Sequence, residues 1–242
     1  MDLVYIYHSG FAVLGNNASL LFDYYEDTDK EHGFVQDELL KRPEPLYVFS
    51  SHFHQDHFNP DIFNFKEKKA NITYILSADI ARKRSKYVKE HDFIKIRKGG
   101  SFEDALIKVK AFGSTDIGVS FAINLAGKEI FHAGDLNNWH WMEESPEYEW
   151  QGYEKAYLDE LAYIKKDRQA FDLVMFPVDP RLGKEKSRGA RQFLDCFAVK
   201  VLAPMHFWDK PEADGSLEKS AKEHGVILLN IEKRGQKFSL PW

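Results

Sequence analysis

The chain has 242 residues, of which 43% are hydrophobic and 14% aromatic, enough to fill a sizeable core and to exclude a disordered chain. With 33 Lys and Arg against 38 Asp and Glu, the formal net charge is −5. This charge argues against a general nucleic-acid binder, which is usually basic, without excluding one. The single cysteine, Cys196, excludes an internal disulfide framework and any cysteine-rich zinc site.

Short β-branched or aromatic runs alternate with helix-like stretches along the chain. The predicted strands are 3–7, 11–15, 19–23, 46–50, 72–76, 93–97, 106–112, 118–125, 128–132, 172–176, 199–203, 226–230 and 236–239. The predicted helices are 34–41, 60–65, 78–89, 152–166, 187–197 and 216–224. This order predicts a mixed α/β chain in which helices cover sheets. We expect a single domain over 1–242 with an aromatic and helical insertion at 137–166.

The N-terminal sequence bears on location. Residues 1–6 lack a basic segment and favour a strand, and no apolar run approaches the roughly 20 residues that span a bilayer. We therefore expect a cytoplasmic protein with no targeting segment and no membrane partner. The oligomeric state is not predicted by these features.

Three histidines and an aspartate lie in segment 51–57, which reads Ser-His-Phe-His-Gln-Asp-His and follows an apolar strand-like run. Residues two apart in an extended segment point the same way, so His52 and His54 can present imidazoles to one metal. Asp56 and His57 lie past the turn and can face a second position. Imidazole and carboxylate ligands suit zinc, and also iron or manganese. The segment therefore predicts a metal site.

The same segment resembles the H-x-H-x-D-H signature of the metallo-β-lactamase superfamily, and other motifs of that superfamily follow in order. Asp23 resembles the early aspartate that braces the histidine loop. Asp135, in Phe-His-Ala-Gly-Asp, resembles the carboxylate that bridges two metals, and His206 resembles the late histidine of the second metal site. The resemblance covers about residues 3–210. It implies a four-layered αβ/βα sandwich of two mixed sheets flanked by helices, with the metal ligands His52, His54, Asp56, His57, Asp135 and His206 at one edge.

Polar residues also mark the ends of apolar strand-like runs. These residues are Asp23, His52, Ser114, Asp135, Asp179 and His206. Sites in sheets of this kind are assembled from loops at strand ends, which supports the set independently of the resemblance. Asp179 matches no ligand of the superfamily and is interpreted as turn chemistry before Pro180.

One position departs from the superfamily pattern. A third histidine for the first metal usually follows a mid-chain strand, but Ser114 stands there in this chain. A neutral hydroxyl is a poor zinc ligand, so the first site lacks a strong donor. Asp116, two residues on, is a candidate replacement ligand, and a turn-forming aspartate is the equal alternative. We therefore expect one or two divalent ions, most simply zinc, with the second site filled first.

Aromatic residues follow the Asp135 motif. Trp139 and His140 lie close enough to a ligand to form one wall of a substrate pocket, although packing of an insertion explains them equally well. His8, between two predicted strands, is a further candidate pocket residue. A structural role is the ordinary explanation for such a histidine.

The resemblance implies a metal-dependent hydrolase. A hydroxide held by the metals would attack an ester, lactone, amide or phosphodiester bond of a small-molecule substrate, with Asp56 orienting the hydroxide. Ser114 motivates the alternative of a metal-binding sensor or interaction module without turnover. Redox chemistry at a di-iron site is a third hypothesis. It is weaker because members of that kind typically carry a carboxylate where this chain has His54, together with a flavin-binding domain.

Overall fold

Two seven-stranded mixed sheets form the centre of the computed structural model, which describes residues 1–211 and 214–242. The first sheet has the order β14-β1-β2-β3-β4-β5-β6. Its strands are β1 Asp2–Tyr7, β2 Gly10–Leu14, β3 Ser19–Phe22, β4 Leu46–Ser50, β5 Ile72–Ser77, β6 Ile94–Ile96 and β14 Lys237–Ser239. β3 to β6 run parallel, and the remaining neighbours are antiparallel.

The second sheet has the order β13-β12-β11-β10-β9-β8-β7. Its strands are β7 Ser101–Glu103, β8 Ile107–Phe112, β9 Ser120–Leu125, β10 Lys128–His132, β11 Ala170–Pro177, β12 Ala198–Met205 and β13 Ile227–Leu228. β10 to β13 are parallel, and β7 to β10 are antiparallel. Each sheet therefore contributes a parallel half whose strand ends meet at one edge.

Helices cover the outer face of each sheet. The α-helices are α1 Phe34–Asp37, α2 Ala78–Lys83, α3 Ser85–Val88, α4 Glu147–Lys165, α5 Arg188–Cys196 and α6 Gly215–Glu223. Short 3₁₀ helices span Leu39–Lys41, Pro60–Glu67 and Pro180–Glu185. None of the helices within the described residues is long and apolar enough to cross a bilayer.

The alternation of side chains along the strands explains the layers. In β1, Leu3 and Tyr5 join the core between the sheets, whereas Val4 and Ile6 join a second cluster under the first set of helices. Leu161 of α4 packs with the larger core on the far side of the second sheet. The predicted four-layered αβ/βα sandwich is therefore confirmed.

Most predicted elements form, with a few differences in bounds. The predicted helix 78–89 divides at Arg84 into α2 and α3, and the predicted helix 34–41 divides into α1 and a 3₁₀ turn. α4 begins at Glu147, earlier than predicted, because Pro146 and the acidic first turn suit a helix start. β7 was not predicted, since it is a three-residue edge strand with two exposed residues.

Glu154 of α4 anchors the segment that follows Asp135. Its carboxylate accepts hydrogen bonds from Nδ2 of Asn138 at 2.7 Å, from Nε2 of Gln192 at 3.0 Å and from Nη2 of Arg188 at 3.1 Å. The bonds from Arg188 lower the pKa of Glu154 to about 2. One carboxylate thus ties α4 and α5 to the loop after the metal-binding motif.

We expect Glu154→Gln to destabilise the protein at neutral pH by about 1–2 kcal/mol, because the amide loses the charge-assisted bonds to Arg188. The pKa of Glu154 is lowered from 4.5 to about 2, so its contribution is complete above pH 4.5 and is lost as the pH falls towards 2. Urea unfolding at pH 7 and pH 3 measures the free energy of unfolding of both proteins. The difference between wild type and Glu154→Gln should be smaller at pH 3. Asp159→Asn is the control on the same helix, since its pair with Lys155 is exposed. An equal fall in the free energy of unfolding in both variants would contradict the role assigned to Glu154.

Candidate metal centre

Asp23, directly after β3, organises the loop that follows β4. Its Oδ1 accepts a hydrogen bond from the backbone N–H of Ser51 and its Oδ2 accepts one from the Ser51 hydroxyl, both at 2.7 Å. Oδ2 also lies 2.7 Å from Nδ1 of His57. Burial alone would raise the pKa of Asp23, but the nearby His132 and His57 lower it, so the carboxylate stays ionised. Asp23 therefore fixes both ends of the histidine loop.

The hydrogen-bond partners of Nδ1 set the tautomers of His57 and His206. Nδ1 of His57 faces the carboxylate of Asp23, and Nδ1 of His206 lies 2.8 Å from Oδ2 of Asp179. An ionised carboxylate only accepts, so both Nδ1 atoms carry a proton. Nε2 is therefore the nitrogen of each ring that faces the site, and in the neutral ring it offers the lone pair that a metal-binding imidazole requires.

The tautomer of His52 is also set by the partner of its Nδ1 atom, which is a hydroxyl group instead of a carboxylate. Its Nδ1 lies 3.0 Å from Oγ of Ser51, whose own proton goes to Asp23. The hydroxyl therefore accepts from Nδ1, and Nε2 of His52 offers a lone pair. That Nε2 is 3.0 Å from Nδ1 of His54, so two ring nitrogens meet at one point. Burial and the neighbouring His57 lower the pKa of His52 to about 3, which keeps its ring neutral.

Asp135, two residues after Ala133, lies at the centre of these imidazoles. Its Oδ1 is 3.2 Å from Nε2 of His57 and 3.3 Å from Nε2 of His206, and its Oδ2 is 3.3 Å from Nε2 of His52. Burial would raise the pKa of Asp135, but the three imidazoles hold it well below its usual range. A carboxylate whose two oxygens face different nitrogens has the arrangement of a bridging ligand.

Protons and a cation compete for the same lone pairs. Burial disfavours a charge on His206, but Asp135 and Asp179 raise its pKa to about 10. Burial likewise opposes a charge on His57, and Asp135 and Asp23 raise its pKa. A cation bound at these nitrogens would take the place of the protons, so its binding releases protons.

The candidate ligands form two groups, in each of which one atom per residue lies within 4.8 Å of the others. One group is His52, His54, Asp116 and Asp135, and the other is His8, Asp56, His57 and His206. Within the described part of the chain, Nε2 of His57, Nε2 of His206 and Oδ1 of Asp135 are buried with no hydrogen-bond partner. Such atoms are costly unless something satisfies them. The donor set fits one or two divalent cations, with zinc, iron and manganese all compatible.

The structure brings the sequence-predicted ligands together. The ring centroids of His57 and His206 are 5.5 Å apart, although 149 residues separate them in the chain. Ser114 lies outside both groups, and its Oγ accepts a hydrogen bond from the backbone N–H of Asp116 at 3.2 Å. Oδ2 of Asp116 lies 3.7 Å from Nδ1 of His54. The turn therefore brings the Asp116 carboxylate into the first ligand group, beside His54.

The three candidate pocket residues have different surroundings. The Trp139 ring meets His206 edge-on at 5.4 Å and stacks with Trp141 at 6.1 Å, so it lies beside a candidate metal ligand. His140 is buried, and its ring nitrogens bond the backbone, Nε2 to the carbonyl of Glu185 and Nδ1 to the N–H of Met142. Both ring nitrogens of His140 are thus engaged by the backbone, one at Met142 and one at the end of the 3₁₀ helix Pro180–Glu185. The third, His8, lies in the same group as Asp56 and His206.

Asp179 has a role that its sequence context did not indicate. As expected for turn chemistry, its Oδ1 accepts from the backbone N–H of Arg181 at 2.8 Å. Its Oδ2 also bonds Nδ1 of His206, and the Arg181 guanidinium pairs with the same carboxylate. Its position at the end of an apolar strand, beside the other candidate ligands, was the signal that could have found it. Asp179 thus orients a ligand.

Two glycines allow close packing around the histidine loop. A Cβ on Gly118 would lie 2.1 Å from the carbonyl oxygen of Ser51, and one on Gly134 would lie 2.7 Å from Cβ of Ser51. Both glycines also have positive φ angles, of 81° and 53°. The second sheet can therefore approach the loop that carries His52 closely enough to present Asp135.

Comparisons with solved structures agree with this architecture. Igni18, a metallo hydrolase from the archaeon Ignicoccus hospitalis, matches with a TM-score of 0.70 and 16% identity over 98% of each chain. The protein YhfI from Bacillus subtilis, described as having the metallo-β-lactamase fold, matches with a TM-score of 0.62 and 16% identity over 98% of each chain. The diiron β-hydroxylase CmlA from Streptomyces venezuelae matches at 0.65 and 14% identity, over 99% of this chain and 54% of that one.

The paired sheets, the ligand edge and these matches decide the fold. This chain has the metallo-β-lactamase fold. Neither family sequence profiles nor curated protein sequences give a match. Identities of 14–16% establish the fold alone, so the reaction of this metallo-β-lactamase-fold protein must be argued from its site.

Asp179→Asn tests the support of His206. We expect metal affinity to fall by about 10–100-fold, since the amide removes the charge that orients the imidazole and makes it more basic. Competition of the metal-loaded protein with a chelator measures the change. Asp172→Asn is the matched control, because Asp172 lies on β11, the strand that precedes Asp179, and pairs with Lys200 at 2.6 Å outside both ligand groups. Equal affinity in wild type and Asp179→Asn would show that Asp179 serves only the turn.

Asp116→Ala tests the replacement ligand. Titration of the metal-free protein should show a tight site and a weak site. We expect the weak site to be the group that contains Asp116 and His54, because both side chains are about half exposed. Asp116→Ala should lower the metal affinity of that site further. Adding Ser114→His to this variant should restore the weaker site by supplying an imidazole. Two sites of equal metal affinity, both unchanged in Asp116→Ala, would show that Asp116 is not a ligand.

Proposed function

We propose that this chain is a metal-dependent hydrolase that acts on a small-molecule substrate. The observation that carries the proposal is the placement of the Asp135 carboxylate between the imidazoles of His52, His57 and His206, with Asp56 beside them at the opening. When bound there, a divalent cation supplies Lewis acidity and lowers the pKa of water. The similarity to Igni18, a metallo hydrolase, supports the same class.

Asp56 is the proposed catalytic group. Its side chain is 24% exposed, whereas those of His8 and His57 beside it are fully buried. Burial would raise the pKa of Asp56, but the adjacent His8 ring and the charge of His57 lower it, so the carboxylate is ionised at neutral pH. An ionised, partly exposed carboxylate can orient a water molecule and accept its proton.

Trp139 and Trp141 provide the proposed substrate wall. Their stacked rings run outward from His206, and the Arg181 guanidinium lies 5.8 Å from the Trp141 ring. This surface suits a substrate with an apolar or planar group next to the bond that is cleaved. Ester, lactone, amide and phosphodiester bonds are all consistent with the site.

The cytoplasmic location stays a prediction.

A second candidate function is oxidation at a di-iron site. It is favoured by one observation, the placement of Asp116 in the first ligand group, because carboxylate-rich donor sets suit iron and manganese. The similarity to a diiron β-hydroxylase is in keeping with it. Metal-binding without turnover, as in a sensor, is the third outcome.

Turnover of simple substrates by the metal-loaded protein separates these functions. Nitrophenyl esters, lactones, an amide and bis(nitrophenyl) phosphate are assayed with zinc, manganese and ferrous protein. We expect hydrolysis of at least one class, and a fall in kcat of roughly 100-fold or more in Asp56→Asn, because the amide cannot accept the proton. Asp61→Asn, on an exposed turn, is the control. Oxygen uptake by ferrous protein without hydrolysis would favour oxidation, and full metal loading with neither activity would favour a sensor.

A further inference from the structure

His8 is the most constrained histidine of the second ligand group. It is fully buried in the turn between β1 and β2, with a positive φ of 55°. The backbone N–H of His8 donates to the hydroxyl of Tyr5 at 2.9 Å, and its backbone carbonyl accepts from the backbone N–H of His206 at 3.0 Å. Its ring stacks on Trp208 with a centroid separation of 4.0 Å. The ring therefore has little freedom to turn.

The tautomer of His8 is set by a backbone amide. The N–H of Trp208 lies 3.2 Å from Nδ1 of His8. A backbone N–H can only donate, so Nδ1 accepts and the proton of the neutral ring resides on Nε2. This is the reverse of His57 and His206, whose Nδ1 atoms face carboxylates. In the neutral rings, His8 thus presents an N–H to the site, whereas Nε2 of His57 and Nε2 of His206 present lone pairs.

Among the residues that the structure describes, Asp56 is the acidic residue that pairs with Nε2 of His8. Oδ2 of Asp56 lies 3.3 Å away, but out of line, so Nε2 has no hydrogen-bond partner among the residues described. A small rotation of the partly exposed Asp56 carboxylate would align the pair. The alternative, direct bonding of Nε2 to a cation, requires the ring to lose the bond from Trp208.

We propose that His8 is not a metal ligand and that its Nε2–H holds the carboxylate of Asp56 in its working orientation. His8 is thereby a positioning residue, and the second cation site consists of Asp56, His57 and His206 with the shared Asp135. This inference rests on the proposed function only in taking Asp56 as the working carboxylate.

The tautomer can be observed without any substrate. Long-range proton–nitrogen correlation spectra of the zinc-loaded protein, labelled with nitrogen-15 in histidine, distinguish a protonated Nε2 from a metal-bound one. The His8 signals are assigned by their loss in His8→Phe or His8→Gln, whichever folds. We expect a protonated Nε2 and an unprotonated Nδ1 for His8. Coupling of cadmium-113 to the His8 ring in cadmium-loaded protein would overturn the proposal.

Two variants then test the role. His8→Phe retains a ring against Trp208 and removes the donor, whereas the amide of His8→Gln places a donor near the Nε2 position. We expect both to bind the wild-type amount of metal. In the active protein, kcat should fall by about 10–100-fold in His8→Phe and recover in part in His8→Gln. Loss of one metal equivalent in His8→Phe would identify a ligand and overturn the proposal, and equal kcat in wild type and His8→Phe would also overturn it. Absence of turnover in every variant would count against the proposed function and leave the spectrum to decide the tautomer.

Discussion

The buried carboxylate of Asp23 is the interaction on which the site depends. A charge inside a protein is tolerated only when it is paired and hydrogen-bonded, and Asp23 meets that condition through the amide and hydroxyl of Ser51 and through Nδ1 of His57. These bonds join the end of β3 to the loop after β4. They also decide which nitrogen of His57 faces Asp135. From there, carboxylates and imidazoles alternate from Asp23 through His57, Asp135 and His206 to Asp179.

This alternation couples the two sheets. Asp23 and the histidine loop belong to the first sheet, whereas Asp135 and His206 follow strands of the second. Asp135 stays ionised because imidazoles from both sheets surround it, and the pKa values of His57 and His206 are raised because Asp135 lies between them. The proton or cation at the centre therefore helps to hold the sheets at this edge. We infer that metal binding stabilises the packing of the sheets as well as the site.

The sequence predicted the candidate ligands that the structure brings together where spacing within one segment was sufficient. His52, His54, Asp56 and His57 are close in the chain, and the ends of buried strands indicated Asp135 and His206. The roles of His8 and Asp179 depend on partners that lie far away in sequence, the amide of Trp208 and the ring of His206. No local pattern contains that information. Asp116 is intermediate, because the sequence offered it as a ligand or as a turn residue, and only the folded turn shows the direction of its carboxylate.

The structure gives a different physical reason to expect unequal cation affinities at the two ligand groups. The sequence suggested unequal metal sites because Ser114 removes a donor from the first. With Asp116 in the first group, and with His8 outside the second as proposed above, each site would have two imidazoles, one carboxylate of its own and a share of Asp135. The number of donors is then equal, but the exposure is not. The side chains of His54 and Asp116 are 42% and 47% exposed, whereas those of His57 and His206 are 0% and 3% exposed and held by buried carboxylates. Ordering mobile ligands costs conformational entropy that prepositioned ligands do not lose, so the second site should still bind its cation more tightly.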